Sequence, residues 1–150
     1  QYLEKSLKIR QELGDKSGEG TTLNNISQIY SARGDYATAL QYLEKSLKIR
    51  QELGDKSGTC YTLHNMAGIA LQNQDYEKFL QHESEAYAIA VEIKDAMGIY
   101  HIARDLGRFL CQAGQKEEGT KLLKQSLDVG KKAGFPDVGE IEEMIAEFGI

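Results

Sequence analysis

Residues Gln1 to Gly18, QYLEKSLKIRQELGDKSG, recur without a single change at Gln41 to Gly58, so the chain is built on a period of forty residues. A period of this length restricts the fold to a stack of small supersecondary units, each too small to bury its own apolar face. Sliding by a further forty keeps the punctuation. Gly34-Asp35-Tyr36 becomes Gln74-Asp75-Tyr76 and then Gly114-Gln115-Lys116, while Gly54-Asp55 becomes Lys94-Asp95. The reading is one array: a half repeat (1–17), three full repeats (18–57, 58–97 and 98–136) and a C-terminal capping helix (137–150). A chain that opens at Gln1 in mid-pattern, with so recent a duplication, is expected to belong to a longer array.

Within a unit the apolar residues fall at helical spacing. Leu23, Ile26, Ser27 and Tyr30 share one face of a first helix, and Tyr36, Ala39, Leu40, Leu43 and Leu47 share one face of a second. The glycine and aspartate clusters between them supply left-handed C-caps and side-chain N-caps. Helices are predicted near 1–13, 18–33, 36–53, 58–73, 76–93, 98–113, 116–133 and 138–148. With a single proline and few β-branched runs, the chain is expected to be all-α, an α-solenoid of eight helices in antiparallel hairpins.

The stretch TLNNISQIYSARGDYATALQYLEKSLKI resembles the tetratricopeptide repeat, and RDLGRFLCQAGQKEEGTKLLKQSL keeps its Leu-Gly pair at Leu106-Gly107. Repeats of that family usually have about 34 residues. The forty-residue form here is similar to the repeats of spindle-orientation and polarity adaptors. The resemblance implies a right-handed superhelix in which the first helix of every hairpin lines a concave groove that holds a peptide or a partner helix. Residues off the apolar stripe then line the groove: Thr21, Asn24, Asn25 and Gln28; Tyr61, His64, Asn65 and Leu71; His101, Arg104, Asp105 and Arg108. The peptide-binding candidates are Asn24, Asn25, Gln28, His64, Asn65, His101, Arg104 and Arg108. Asparagine amides both donate and accept, which suits an extended backbone, and arginines suit a carboxylate. An acidic segment is therefore the expected ligand, although Asp105 can pair with Arg108 or Arg104 at helical spacing and would blunt the charge.

Other chemistries find no support in the residues. The net charge of −5, from 23 acidic and 18 basic residues interspersed along the chain, leaves no basic field for nucleic acid. No apolar stretch approaches the roughly 20 residues of a membrane span, and a cytoplasmic location is expected. His64, His82 and His101 lie on three different helices, and no His or Cys pair has zinc-site spacing. Cys60 and Cys111 should lie roughly 16 Å apart along neighbouring helices, too far to be bridged. No nucleophile, base and orienting acid stand together, and no glycine loop cradles a phosphate. The expected function is a protein-binding scaffold without catalytic residues, metal or cofactor. The alternative is a spacer, self-assembly region or sensor arm of a larger regulatory protein.

Three positions depart from the repeat. Tyr30 and Ala39 become Ala70 and Phe79, an exchange of bulk in which Phe79 is expected to fill the space vacated at Ala70. Glu83 replaces the leucine found at Leu43 and Leu123, and is expected to reach Arg104 or Tyr100 rather than remain unpaired. At the ends, Val138, Ile141, Ile145 and Phe148 form the apolar face of the capping helix. The first helix, a second helix of a hairpin without its own first helix, leaves Tyr2, Leu3 and Leu7 uncovered and favours self-association.

Overall fold

The computed structural model describes residues 2–12 and 14–149. Among the described residues there are eight helices and no strand: α1 (Tyr2–Glu12), α2 (Lys16–Ala32), α3 (Tyr36–Glu52), α4 (Lys56–Gln72), α5 (Tyr76–Glu92), α6 (Ala96–Gln112), α7 (Lys116–Ala133) and α8 (Val138–Glu147). The fold is all-α, as the periodicity requires. The helices fall into two compact units, Gln1–His82 and Glu83–Ile150, with the division inside α5.

The turns repeat every twenty residues and explain the one systematic difference from the predicted boundaries. Aspartate caps the N-terminus of each first helix: the Asp15, Asp55 and Asp95 carboxylates accept the backbone N–H of Gly18, Gly58 and Gly98 at 2.9, 2.9 and 3.1 Å. These glycines lie inside the first turn, so the first helices begin two residues earlier than the sequence suggests. The glycine is there for space. A Cβ on Gly58 would collide with Arg50 Nη1, which itself pairs with Asp55 at 3.1 Å. Each turn also carries one left-handed residue, at Gly14, Gly34, Gly54, Gln74, Lys94, Gly114 and Gly134. The N–H of the next residue returns to the carbonyl five positions back, as Asp35 does to Tyr30 and Asp75 to Ala70.

In the first unit, Leu23 and Ile26 of α2 are buried, and Ala39 and Leu43 of α3 form one cluster with Met66 and Ile69 of α4. Ser46 shows how closely the hairpin packs. Its hydroxyl is fully buried and donates to the Gly20 carbonyl across the α2–α3 contact at 2.8 Å. Phe79 is 2% exposed and Ala70 is buried too, so the bulk that moves from position 30 to position 79 is kept away from solvent.

In the second unit the same hydroxyl contact recurs two periods on, where Ser126 of α7 donates to the Tyr100 carbonyl of α6 at 2.6 Å. Tyr100, Cys111, Leu123 and Ile141 make the core. Against it pack Val138, Ile145 and Phe148 of the C-terminal segment and Phe135 of the connector, so all four residues of the predicted apolar face of α8 are used. Cys60 and Cys111 are free thiols, both buried. No described helix is long and apolar enough to cross a membrane.

Candidate functional site

The site is built from the faces of the first helices that the apolar stripe leaves outside. On α2, Leu23 and Ile26 point into the core, which turns Asn24, Asn25 and Gln28 outward. Asn25 and Gln28 are exposed and Asn24 is half-buried. On α4, Leu63 and Met66 are buried and His64 and Asn65 are half-buried beside them. The two helices meet through their amides, since Asn65 Nδ2 donates to Asn24 Oδ1 at 3.2 Å. Each amide keeps unused hydrogen-bonding capacity, because an asparagine side chain offers two donors and an acceptor with two lone pairs. Thr21 and Tyr61 are exposed on the same two helices. The first unit therefore brings together five of the candidate residues on a polar, amide-rich face.

Arg104 and Arg108 lie on α6 in the second unit, with His101 half-buried one turn before Arg104. Both arginines are engaged internally. Arg104 Nε donates to Asp105 Oδ1 at 3.1 Å, and Arg108 Nη2 lies 3.8 Å from the same oxygen. Arg104 Nη1 also stands 4.0 Å from Asp137, and its guanidinium lies 6.0 Å from the centroid of the Tyr100 ring. Asp105, expected to pair with one arginine or the other, stands within ion-pair distance of both, so part of the positive charge of this face is compensated from within. Arg108, with 43% of its side chain exposed, remains the more accessible of the two.

Tyr100 organises the second unit beneath that face. It is 1% exposed, its ring meets Phe135 edge-on at 4.8 Å and His101 at 5.1 Å, and its hydroxyl donates to Asp137 Oδ1 at 2.6 Å. Burial, followed by the Asp137 hydrogen bond, pushes the phenol up to about 12. The same bond is the main cause that holds the Asp137 carboxyl below its ordinary value. The Tyr100 proton goes to Asp137 rather than to Glu83, contrary to one of the two expected pairings. Glu83 is 1% exposed and has a carboxylate oxygen within 4.8 Å of one on Asp105.

Asp137 is the residue that sequence reading missed. It sits in the connector before α8, where the repeat is interrupted, and one period earlier the chain has Met97. No periodic signal marks it. The only hint was a carboxylate two residues after Phe135 in a segment whose spacing had shifted.

The tetratricopeptide repeat family model matches residues 1–52 and 32–92. Among curated proteins, none matches the sequence. Solved structures share the fold at low identity. BtubC (BKLC) from P. vanneervenii superimposes with a TM-score of 0.78 at 18% identity, over 89% of this chain and 56% of that one. This chain therefore spans little more than half the length of that relative. A point variant of the nearly identical TPR-like repeats from Podosopora anserina gives 0.72 at 17% identity, over 97% of this chain and 73% of that one. A second structure of those repeats gives 0.65 at 14%, over 97% and 83%.

Proposed function

Because the chain belongs to the tetratricopeptide repeat family, whose repeats generally mediate protein–protein interaction, we propose that it is a binding module that holds an extended peptide against the polar faces of its first helices. Family members are typically non-enzymatic scaffolds, and the reading assigns this chain no catalytic role. The observation that carries the proposal is the amide pair. Asn24 and Asn65 come from adjacent hairpins, touch at 3.2 Å and are each only half-buried, beside the exposed Asn25 and Gln28. A peptide backbone presents the same alternation of donor and acceptor, so amides spaced along successive helices can read it without regard to side-chain sequence. His64 and the exposed Asn25 and Gln28 extend this surface in the first unit.

His101, Arg104 and Arg108 form the corresponding surface of the second unit. An acidic ligand residue there would meet Arg108 with the Asp105 carboxylate already 3.8 Å from one of its guanidinium nitrogens, which offsets part of its charge. The preference for acidic segments is accordingly weaker than the count of arginines suggests.

Peptides selected from a random display library against the 150-residue protein would test the reading. Selected binders should lose at least roughly tenfold in affinity with the pair Asn25→Ala and Gln28→Ala, both exposed and outside the core. Binders that ignore these changes, and also ignore Arg108→Glu, would reject the first-helix faces as the binding surface.

A further inference from the structure

The internal duplication ends at Gly18 and Gly58, and the first position at which the two copies part is a buried one, Glu19 against Thr59. One further period on, the position holds Ile99. A hydroxyl or an aliphatic side chain therefore satisfies the packing at this point of the repeat, and the stack does not require a carboxylate. Glu19 is nevertheless only 7% exposed, and its two oxygens are unequally served. Oε1 accepts from Gln11 Nε2 at 3.3 Å. Oε2 has no hydrogen-bond donor among the described residues, and Lys16 Nζ, 3.3 Å away, makes an ion pair with it but no hydrogen bond. Buried acceptors in folded proteins are otherwise matched with donors, because an unmatched one costs free energy.

Glu19 lines a pocket of about 420 Å³ between α1, α2 and α3. Leu7, Leu23 and Ile49 give it an apolar wall, one residue from each helix. Leu7 recurs one period on as Leu47, which packs against the core between α3 and α4, so this side of α1 is the side that faces the next hairpin. Lys45 and Lys48 of α3 are exposed and line the pocket as well, with Lys45 Nζ 5.7 Å from the centroid of the Tyr42 ring. With Lys16 and Glu52 in the same lining, three lysines face two glutamates, and the site carries net positive charge.

We propose that this pocket binds a small organic anion that carries a hydroxyl group. An acceptor-only carboxylate oxygen needs a donor, and in a lining of net positive charge a neutral hydroxyl reaches Glu19 with less repulsion than an ammonium would. Lys16, with 58% of its side chain exposed, is held by a pair of little worth and yields the oxygen. The anionic end of the ligand then lies towards Lys45 and Lys48, and its carbon body on Leu7, Leu23 and Ile49. This site is separate from the first-helix faces and does not rest on the peptide-binding reading.

Methyl NMR spectra of Leu7, Leu23 and Ile49, recorded while 4-hydroxyphenylacetate is titrated onto the 150-residue protein, test the assignment. Saturable shifts are expected with a dissociation constant on the order of 1 mM, the range of so small a ligand. Phenylacetate, which lacks the hydroxyl, should bind roughly fivefold more weakly. Tyramine, which exchanges the carboxylate for an ammonium, should not bind. Glu19→Thr, which follows the residue at the corresponding buried position 59, should make the hydroxy acid bind as weakly as phenylacetate. Lys45→Gln together with Lys48→Gln, at two exposed positions where the fold is not at stake, should weaken both acids roughly tenfold. Absence of saturation at about 10 mM 4-hydroxyphenylacetate would overturn the proposal. So would equal binding of the two acids to the unaltered protein, tyramine binding as tight as theirs, or binding that neither the Glu19 nor the lysine changes affect.

Discussion

Gly107 of α6 and Gly119 of α7 approach so closely that a Cβ built on either would stand 2.7 Å from the carbonyl oxygen of the other. Both neighbours are backbone, which cannot turn aside. Either Gly107→Ala or Gly119→Ala should therefore destabilise the second unit by about 2 kcal/mol through overpacking, despite the gain in helix propensity. Gly68→Ala provides the opposite sign. Gly68 is an exposed helical residue with nothing within 4 Å of the place a methyl group would take, and the change should gain about 1 kcal/mol. Midpoints of urea unfolding followed by circular dichroism will separate the two directions.

Tyr100 and Asp137 tie stability to pH at both extremes. The Tyr100 phenol is raised from 10.0 to about 12, so its contribution is complete below pH 10 and is lost as pH rises towards 12. The Asp137 carboxyl is lowered, so its contribution is present above the ordinary carboxylate range and is lost as pH falls through the depressed value. In an ultraviolet titration of the eight tyrosines, Tyr42 and Tyr100 should both ionise late, and only the later component, that of Tyr100, should disappear from the trace in Tyr100→Phe. That variant should also lose about 1 kcal/mol at neutral pH, the usual worth of such a hydrogen bond. A Tyr100→Phe protein with an unaltered alkaline titration would contradict the assignment.

Gln74 and Lys94 hold left-handed backbone, with φ of 59° and 56°, at turn positions where neighbouring repeats use glycine. A side chain in that region costs about 1 kcal/mol or more, partly offset by the greater entropy that glycine loses on folding. Gln74→Gly and Lys94→Gly are each expected to raise stability by roughly 0.5 to 1 kcal/mol. A fall in unfolding midpoint for both would show that their side chains contribute more than their backbone costs.

Ser46 and Ser126 close their hairpins with buried hydroxyls, whereas Ala86 occupies the intervening position of the repeat. Alanine is thus tolerated in this register. Ser126→Ala should cost about 1 kcal/mol, since the Tyr100 carbonyl loses a buried partner without a change in packing volume. Ser126→Leu should cost considerably more, by forcing α6 and α7 apart. Thermal midpoints of the two variants give the comparison.

Much of the fold was legible because it rests on local signals repeated along the chain. Leu23, Ile26, Ala39 and Leu43 declared two helical faces by spacing alone, and the glycine-aspartate clusters marked the turns. The two-residue error at the starts of the first helices has a local cause. Gly18, Gly58 and Gly98 look like helix breakers, but they serve inside the first turn, where the capping aspartate, joined by an arginine at Gly18 and Gly58, occupies the space of a side chain. The amide face was legible too, since the positions of Asn24 and Asn65 follow from the buried stripes beside them. Their mutual hydrogen bond was not, because it depends on the distance between two hairpins.

Sequence by itself determined the period, the helices, the turns and which side of each helix is apolar, all of which arise from interactions within a few residues along the chain. Tertiary structure decided what the charges do. Arg104 and Arg108 read as a basic pair blunted locally by Asp105, yet folding also brings the distant Asp137 to 4.0 Å from Arg104, and Coulomb energy depends on separation in space rather than along the chain. It also decided how the repeated segment is held at its second occurrence, where the Tyr42 ring stacks on the Tyr30 ring of α2, a pairing set by the distance between two helices.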